Sequence, residues 1–214
     1  WEHYGEYLNS IEELGTAVNV AGLVGHAAVR YYVMGERSFA DDATPEEVST
    51  MTEIVEKSMS DGAWGFSTNR FEPHRAPDGR SIPGTFANVS ELESIAEKVG
   101  NHNGLVQAVG ADFEILRAIS DSARNRVLFS YALEIYDENG VPSSREISSG
   151  IGNKAAASID ALSKEREISA IAHVRGSGFI LGLQSNLPVQ GEAWTRADRS
   201  GLLAGGASLA CASQ

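Results

Sequence analysis

The sequence predicts an α/β protein. Three features carry that reading. Apolar, β-rich runs alternate with segments of helical period, the runs are continuous rather than apolar–polar alternations, and several helical segments open on capping residues. Continuous apolar runs suit strands covered on both faces, which means a parallel sheet layered with helices rather than a sandwich or a bundle.

In chain order the strand candidates are Val18 to Val24, Ala63 to Ser67, Gly104 to Val109, Arg126 to Ala132 and Ile168 to Val174, with a helix from Glu6 to Leu14 ahead of the first. Thr44-Pro45-Glu46-Glu47 supplies an N-cap hydroxyl, a proline at the first helical position and a glutamate at the third. Val48, Met51, Val55 and Met59 then form one apolar stripe. Ser90-Glu91-Leu92-Glu93 has the same capping-box form, followed by the stripe Leu92, Ile95, Ala96 and Val99 and by Gly100 as a stop. Further helices are expected over Asp112 to Ser120 and Asn153 to Glu165.

Between Asn69 and Asn88 the chain holds three of its six prolines, several charges and no helical stripe, the composition of a long lid or binding loop. A second loop, Asp137 to Ser149, carries the turn formers Asp-Glu-Asn-Gly and Pro-Ser-Ser. Both follow strands, the side on which α/β barrels place their chemistry.

These elements make roughly five βα units, whereas a closed barrel has eight and about 250 residues. The expectation for 214 residues is therefore a partial (β/α)8 barrel of the TIM type, spanning residues 1–199. A poorly ordered or foreign tail follows at 200–214, an uncharged run rich in Gly, Ala and Ser that is too short to span a bilayer. An open barrel exposes strand edges, so missing sequence or an unusual oligomer is implied, with the oligomeric state left open. The start, Trp-Glu-His-Tyr, has no initiator Met and no signal-peptide pattern and reads as a cut.

A net charge of -12, with 17 Lys+Arg against 29 Asp+Glu, argues against nucleic acid or an anionic membrane as partner and favours a small neutral or polar substrate. The single cysteine, Cys211, excludes an internal disulfide and a cysteine-based zinc cluster and is compatible with a cytoplasmic location. The glycine-rich pieces at 176–178 and 205–207 match neither a phosphate loop nor a dinucleotide fingerprint.

Two segments bear candidate chemistry. Asn19 to Arg30 ends an apolar run in Gly25-His26, placing an imidazole at a strand's C-terminal end, with Arg30 reaching the same place from a loop. The alternative is a hydrogen-bonded structural histidine. Asp61 to Asn69 places the hydroxyls of Ser67 and Thr68 at a strand end, suited to a substrate amide or carboxylate or simply to closing the strand. His173 and Arg175 share one face of a strand and fit a carboxylate, unless His173 packs between layers and Arg175 reaches solvent. Gln107 and Tyr131 are further polar candidates on strands.

The run Asn-Val-Ala-x-Leu-Val-Gly-His-x-x-x-Arg with Val-Met-Gly after it, then Ala-Thr-Pro-Glu-Glu, then Gly-Ala-x-Gly-Phe-Ser-Thr, in this order and spacing, resembles the D-aminoacylase (N-acyl-D-amino-acid deacylase) branch of the amidohydrolase superfamily. The likeness continues through Leu128-Phe129-Ser130 to His173-Val174-Arg175-Gly176 and covers most of the chain to about Trp194. It implies a hydrolase acting on the C–N bond of an N-acyl-D-amino acid or similar small amide, in which zinc-type ions activate water.

The family's His-x-His pair and catalytic Asp would lie outside this chain, so its catalytic residues are not identified. Where the family's middle strands tend to end in His-x-Arg and a Ser-His-like pair, this chain has Val109-Gly110 and Tyr131-Ala132. No complete metal site is visible. The substrate-binding candidates are His26, Arg30, Ser67, Thr68, Gln107, Tyr131, His173 and Arg175. The expected function is that of a fragment of a metal-dependent amidohydrolase, inactive alone. The alternative is a degenerate, metal-free barrel acting as a binding module.

Overall fold

The computed structural model of the protein describes residues 1–72, 74–124, 126–130 and 151–171. Five strands form one parallel sheet: β1 (Leu23–Gly25), β2 (Gly65–Asn69), β3 (Leu105–Val109), β4 (Val127–Ser130) and β5 (Ile168–Ile171). They lie side by side in chain order, and a helical crossover joins each to the next. Sequential parallel strands with right-handed crossovers place their helices on one face of the sheet. Roughly five βα units were expected, and the described residues supply four of them and the strand of a fifth.

The helices are α1 (Tyr4–Leu14), α2 (His26–Met34), α3 (Pro45–Ser60), α4 (Val89–Asn101), α5 (Phe113–Ala123) and α6 (Ile151–Glu165), with one 3-10 segment at Gly35–Phe39. α3 forms the capping box read from Thr44 and Glu47. The Glu47 amide donates to Thr44 Oγ1 at 3.2 Å and the Thr44 amide donates to Glu47 Oε2 at 2.8 Å. α5 is capped by Asp112, whose Oδ1 accepts from the Ile115 amide at 2.8 Å.

Strand faces alternate along β2 to β4, and Val24 of β1 follows the same pattern. Val24, Phe66, Thr68, Val106, Ala108, Val127 and Phe129 point into the helix layer and are buried, while Ser67, Gln107 and Ser130 point to the opposite, half-exposed face. The core between the layers contains Met51, Val55, Leu92, Ile95, Val99 and Leu116. Two close approaches occur within the layers, one between neighbouring strands and one between neighbouring helices. A Cβ on Gly65 would sit 1.9 Å from the Leu105 carbonyl oxygen, and one on Gly100 would sit 1.9 Å from that of Ala123.

Three expectations need correction. The first strand begins at Leu23, not Val18, because only Leu23, Val24 and Gly25 find partners on β2; Val18 and Val20 are exposed. The segment after Gly25 is a helix rather than a loop, since α2 starts on His26 itself. The Ser90 capping box does not form: α4 begins at Val89 with Asn88 as N-cap and no side-chain cap bond, so Ser90 lies inside the helix, and the Glu91 carboxylate is engaged in the protein interior.

Candidate functional site

His26 and Arg30 are one turn apart on α2, so both side chains project from the same face of that helix toward the sheet and α4. They meet Glu91, in the first turn of α4. His26 Nε2 lies 2.7 Å from Glu91 Oε1, and Arg30 Nε donates to the same oxygen at 3.0 Å. His26 Nδ1 lies 2.9 Å from Thr68 Oγ1 of β2. All four side chains are almost wholly buried, at 1% exposure for His26, 3% for Arg30, 1% for Thr68 and 2% for Glu91.

The geometry selects one protonation state. Burial pushes the His26 imidazole below its ordinary value, and the hydrogen bond and charge of Glu91 only partly oppose it while Arg30 and Arg70 add to it. A neutral ring carrying its proton on Nε2 donates to Glu91 and accepts the Thr68 hydroxyl proton on Nδ1, so both ring nitrogens are used. Burial works to raise the Glu91 carboxyl. The hydrogen bonds and charges of His26 and Arg30 outweigh it, and the group is held below the usual carboxylate range. The cluster thus holds one anion, Glu91, against one cation, Arg30.

The guanidinium of Arg30 is used further. One NH2 nitrogen donates to the Ser38 carbonyl and the other to the Asp41 carbonyl at 2.8 Å. Arg70, just past β2, donates to the Ala87 carbonyl at 2.6 Å and the Gly84 carbonyl at 3.3 Å. Burial pushes Arg70 below its ordinary value, against the attraction of Asp112 and Glu91.

On the other face of the sheet a second polar group crosses three strands. Ser67 Oγ donates to Gln107 Oε1 at 3.3 Å, and Gln107 Nε2 donates to Ser130 Oγ at 3.1 Å. Ser67 and Gln107 are register partners. Half-exposed, with a second amide N–H on Gln107 and a hydroxyl proton on Ser130 still to give, this row can meet the carbonyl or carboxylate oxygen of a small molecule.

The eight sequence candidates therefore separate. His26, Arg30 and Thr68 are brought together, but inside the helix layer and with their polar atoms already engaged, so they offer a substrate no free surface. Ser67 and Gln107 are brought together on the open face. Tyr131, His173 and Arg175, and the loop at 137–149, lie outside the described residues.

Glu91, Arg70 and Ser130 were not among the candidates. The signal for Glu91 was its place on the α4 stripe, four and eight positions before Ile95 and Val99, where an acidic residue needs a buried partner. Among the described residues no group of three His, Cys, Asp or Glu is placed to hold a metal ion, and no helix is long and apolar enough to cross a membrane.

No family model matches the chain. A D-aminoacylase of Alcaligenes xylosoxydans xylosoxydans is 31% identical over 105 residues, which are 49% of this chain and 19% of that protein. An N-acyl-D-aspartate deacylase of the same organism is 29% identical over 105 residues, with the same coverage. The chain is a relative of the D-aminoacylases.

A solved structure of a D-aminoacylase, studied for the role of its binuclear metal centre, superposes with a TM-score of 0.62 at 22% identity over 80% of this chain. The superposition identifies the five-stranded sheet as part of a TIM-type barrel. The chain spans 34% of that solved D-aminoacylase and about a fifth of the curated ones.

Proposed function

We propose that this D-aminoacylase relative is part of a metal-dependent amidohydrolase that cleaves the amide C–N bond of an N-acyl-D-amino acid. The observation that carries the reading is the 31% identity to a D-aminoacylase over 105 residues. The second relative, an N-acyl-D-aspartate deacylase, supports the same reaction with an acidic amino acid. A cytoplasmic location accords with the single cysteine, and a small amide as partner accords with the net charge of -12.

Within this reading Ser67 and Gln107, continued by Ser130, contact the substrate's carbonyl or carboxylate from the open face of the sheet. His26, Arg30 and Thr68 support the site from behind. Tyr131, and the pair His173 and Arg175, remain proposed contacts for the substrate carboxylate. Zinc or a similar ion belongs to the reaction, but the described residues do not fit one. Its ligands are assigned to other parts of the protein, and no step through the metal is derived from these side chains.

The test is to express the full-length protein with zinc and to follow amine release from paired D and L N-acyl amino acids. D-selective turnover, with zinc near one equivalent or more per chain, is expected. Absence of turnover together with absence of bound metal would overturn the reading in favour of a metal-free binding module.

A further inference from the structure

We propose that His26, Arg30 and Glu91 are positioning residues that hold the two long connections leaving the C-terminal ends of β1 and β2, residues 26–44 and 70–88, in fixed places over that end of the sheet. The inference rests in part on the hydrolase reading, because the C-terminal end of the strands is where a barrel enzyme places its chemistry.

Each connection is fastened mainly through its backbone. Arg30 is oriented by Glu91 and in turn grips the Ser38 and Asp41 carbonyls of the first connection. Arg70, which feels the charges of both Glu91 and Arg30, grips the Gly84 and Ala87 carbonyls of the second. Gly84 also lies against the imidazole so closely that a Cβ there would be 2.6 Å from His26 Nδ1.

The two connections meet at their outer ends as well. Arg80 donates to Glu36 at 3.0 Å and its guanidinium lies 3.7 Å from the centre of the Phe39 ring. Past Val29 and Met34, which join the core, the outer parts 35–43 and 74–87 bury little apolar surface, and such segments are low-stability parts of a fold unless something polar fixes them. The buried cluster is placed to do so, since one carboxylate aligns the imidazole and the guanidinium that touch both segments.

Titration gives the cluster a dependence on pH. A proton added to His26 places a third cation beside Arg30 and Arg70, with only Glu91 as anion among the groups facing the ring. The connections are expected to loosen as pH falls, ahead of the core.

The experiment is hydrogen exchange on the full-length protein. Glu91→Gln keeps the shape and an acceptor oxygen but removes the charge. Protection factors in 35–43 and 74–87 should fall about tenfold further than those of Phe66 and Val106. In the wild type, protection in the same segments should decline below the ordinary histidine range, and His26→Gln should flatten that dependence. With an N-acyl-D-amino acid as substrate, kcat/KM of Glu91→Gln should drop by up to about a hundredfold, the cost of a misplaced site.

If core and connections loosen together, or neither does, the positioning role is wrong. Should Glu91→Gln fail to fold, Gly84→Ala provides the second variant, expected to release 74–87 while leaving 35–43 protected, with unchanged protection at 74–87 counting against the proposal. A wild type that turns over no substrate would sink the hydrolase reading, yet the exchange data would still decide this one.

Discussion

Glu91 stands 65 positions beyond His26 in the chain, yet its Oε1 lies 2.7 Å from the imidazole Nε2 in a part of the molecule closed to water. The contact ties the first helix turn after β1 to the first helix turn before β3. Because Arg30 shares the same oxygen, one carboxylate balances the Arg30 charge and takes one hydrogen bond from each of two buried side chains.

Replacing Glu91 with Ala should therefore be among the most damaging single changes in the described part of the chain. It strands the Arg30 guanidinium without its anion, a loss of about 3–5 kcal/mol for a broken buried pair. Replacing both partners by apolar residues should cost less than the two single changes added together, since no uncompensated charge is left. Urea denaturation of the two single variants and the double variant measures this, and strict additivity would be the contrary result.

The pH dependence has a definite sign. The folded state binds a proton to His26 less readily than the unfolded chain, whose imidazole titrates near 6.5. Stability from this residue is complete above that value and is lost as pH falls through it toward the depressed folded value. Glu91, also held low, adds a second loss that begins only near its ordinary 4.5. Urea midpoints taken from pH 8 to pH 5 should decline in the wild type and decline less in His26→Gln.

Most of the fold is legible in the sequence because it depends on local pattern. The Thr44–Glu47 box, the stripe through Met51 and Val55 and the apolar runs at Leu105 and Val127 each encode their element within a few residues. The site is less legible, because its bonds span 42 and 65 positions. His26 and Arg30 were seen as a pair, but their four-residue spacing was assigned to a loop, where it has no meaning, instead of to α2, where it puts them on one face. Ser90-Glu91-Leu92-Glu93 has the form of a capping box, in which Glu91 is only an intervening residue. Its buried partners, more than sixty positions upstream, lie beyond that local pattern.

The capping box itself can be tested. Thr44→Ala removes the acceptor for the Glu47 amide but leaves the residue-44 backbone amide donating to the Glu47 carboxylate, which also receives Arg37 at 2.5 Å. A loss of about 1 kcal/mol is expected in urea denaturation. Thr44→Ser, which keeps the acceptor oxygen, should recover most of it.

Gly100 is constrained by space rather than by backbone angle. Its missing side chain lets α4 lie against the Ala123 carbonyl at the end of α5, and the clashing atom belongs to the backbone, which cannot swing aside as a side chain would. Gly100→Ala should cost about 1–3 kcal/mol through separation of the two helices. Gly79→Ala, where no atom lies within 4 Å, is the comparison; its backbone angle of +88° adds strain but no clash, so it should be the milder change by thermal melting.

Gln107→Leu distinguishes a binding row from a structural one. The side chain is half-exposed, and the hydroxyls it joins, on Ser67 and Ser130, remain open to water once it is gone, so stability should change by no more than about 0.5 kcal/mol. If the row receives the substrate's carbonyl or carboxylate, the loss of a donor to a charged or polarised oxygen should lower kcat/KM about 10-fold to 100-fold. A thermal melt paired with initial rates on an N-acyl-D-amino acid separates the two effects. Lowered stability with unaltered kinetics would assign Gln107 to holding β2, β3 and β4 together and remove it from the substrate's path.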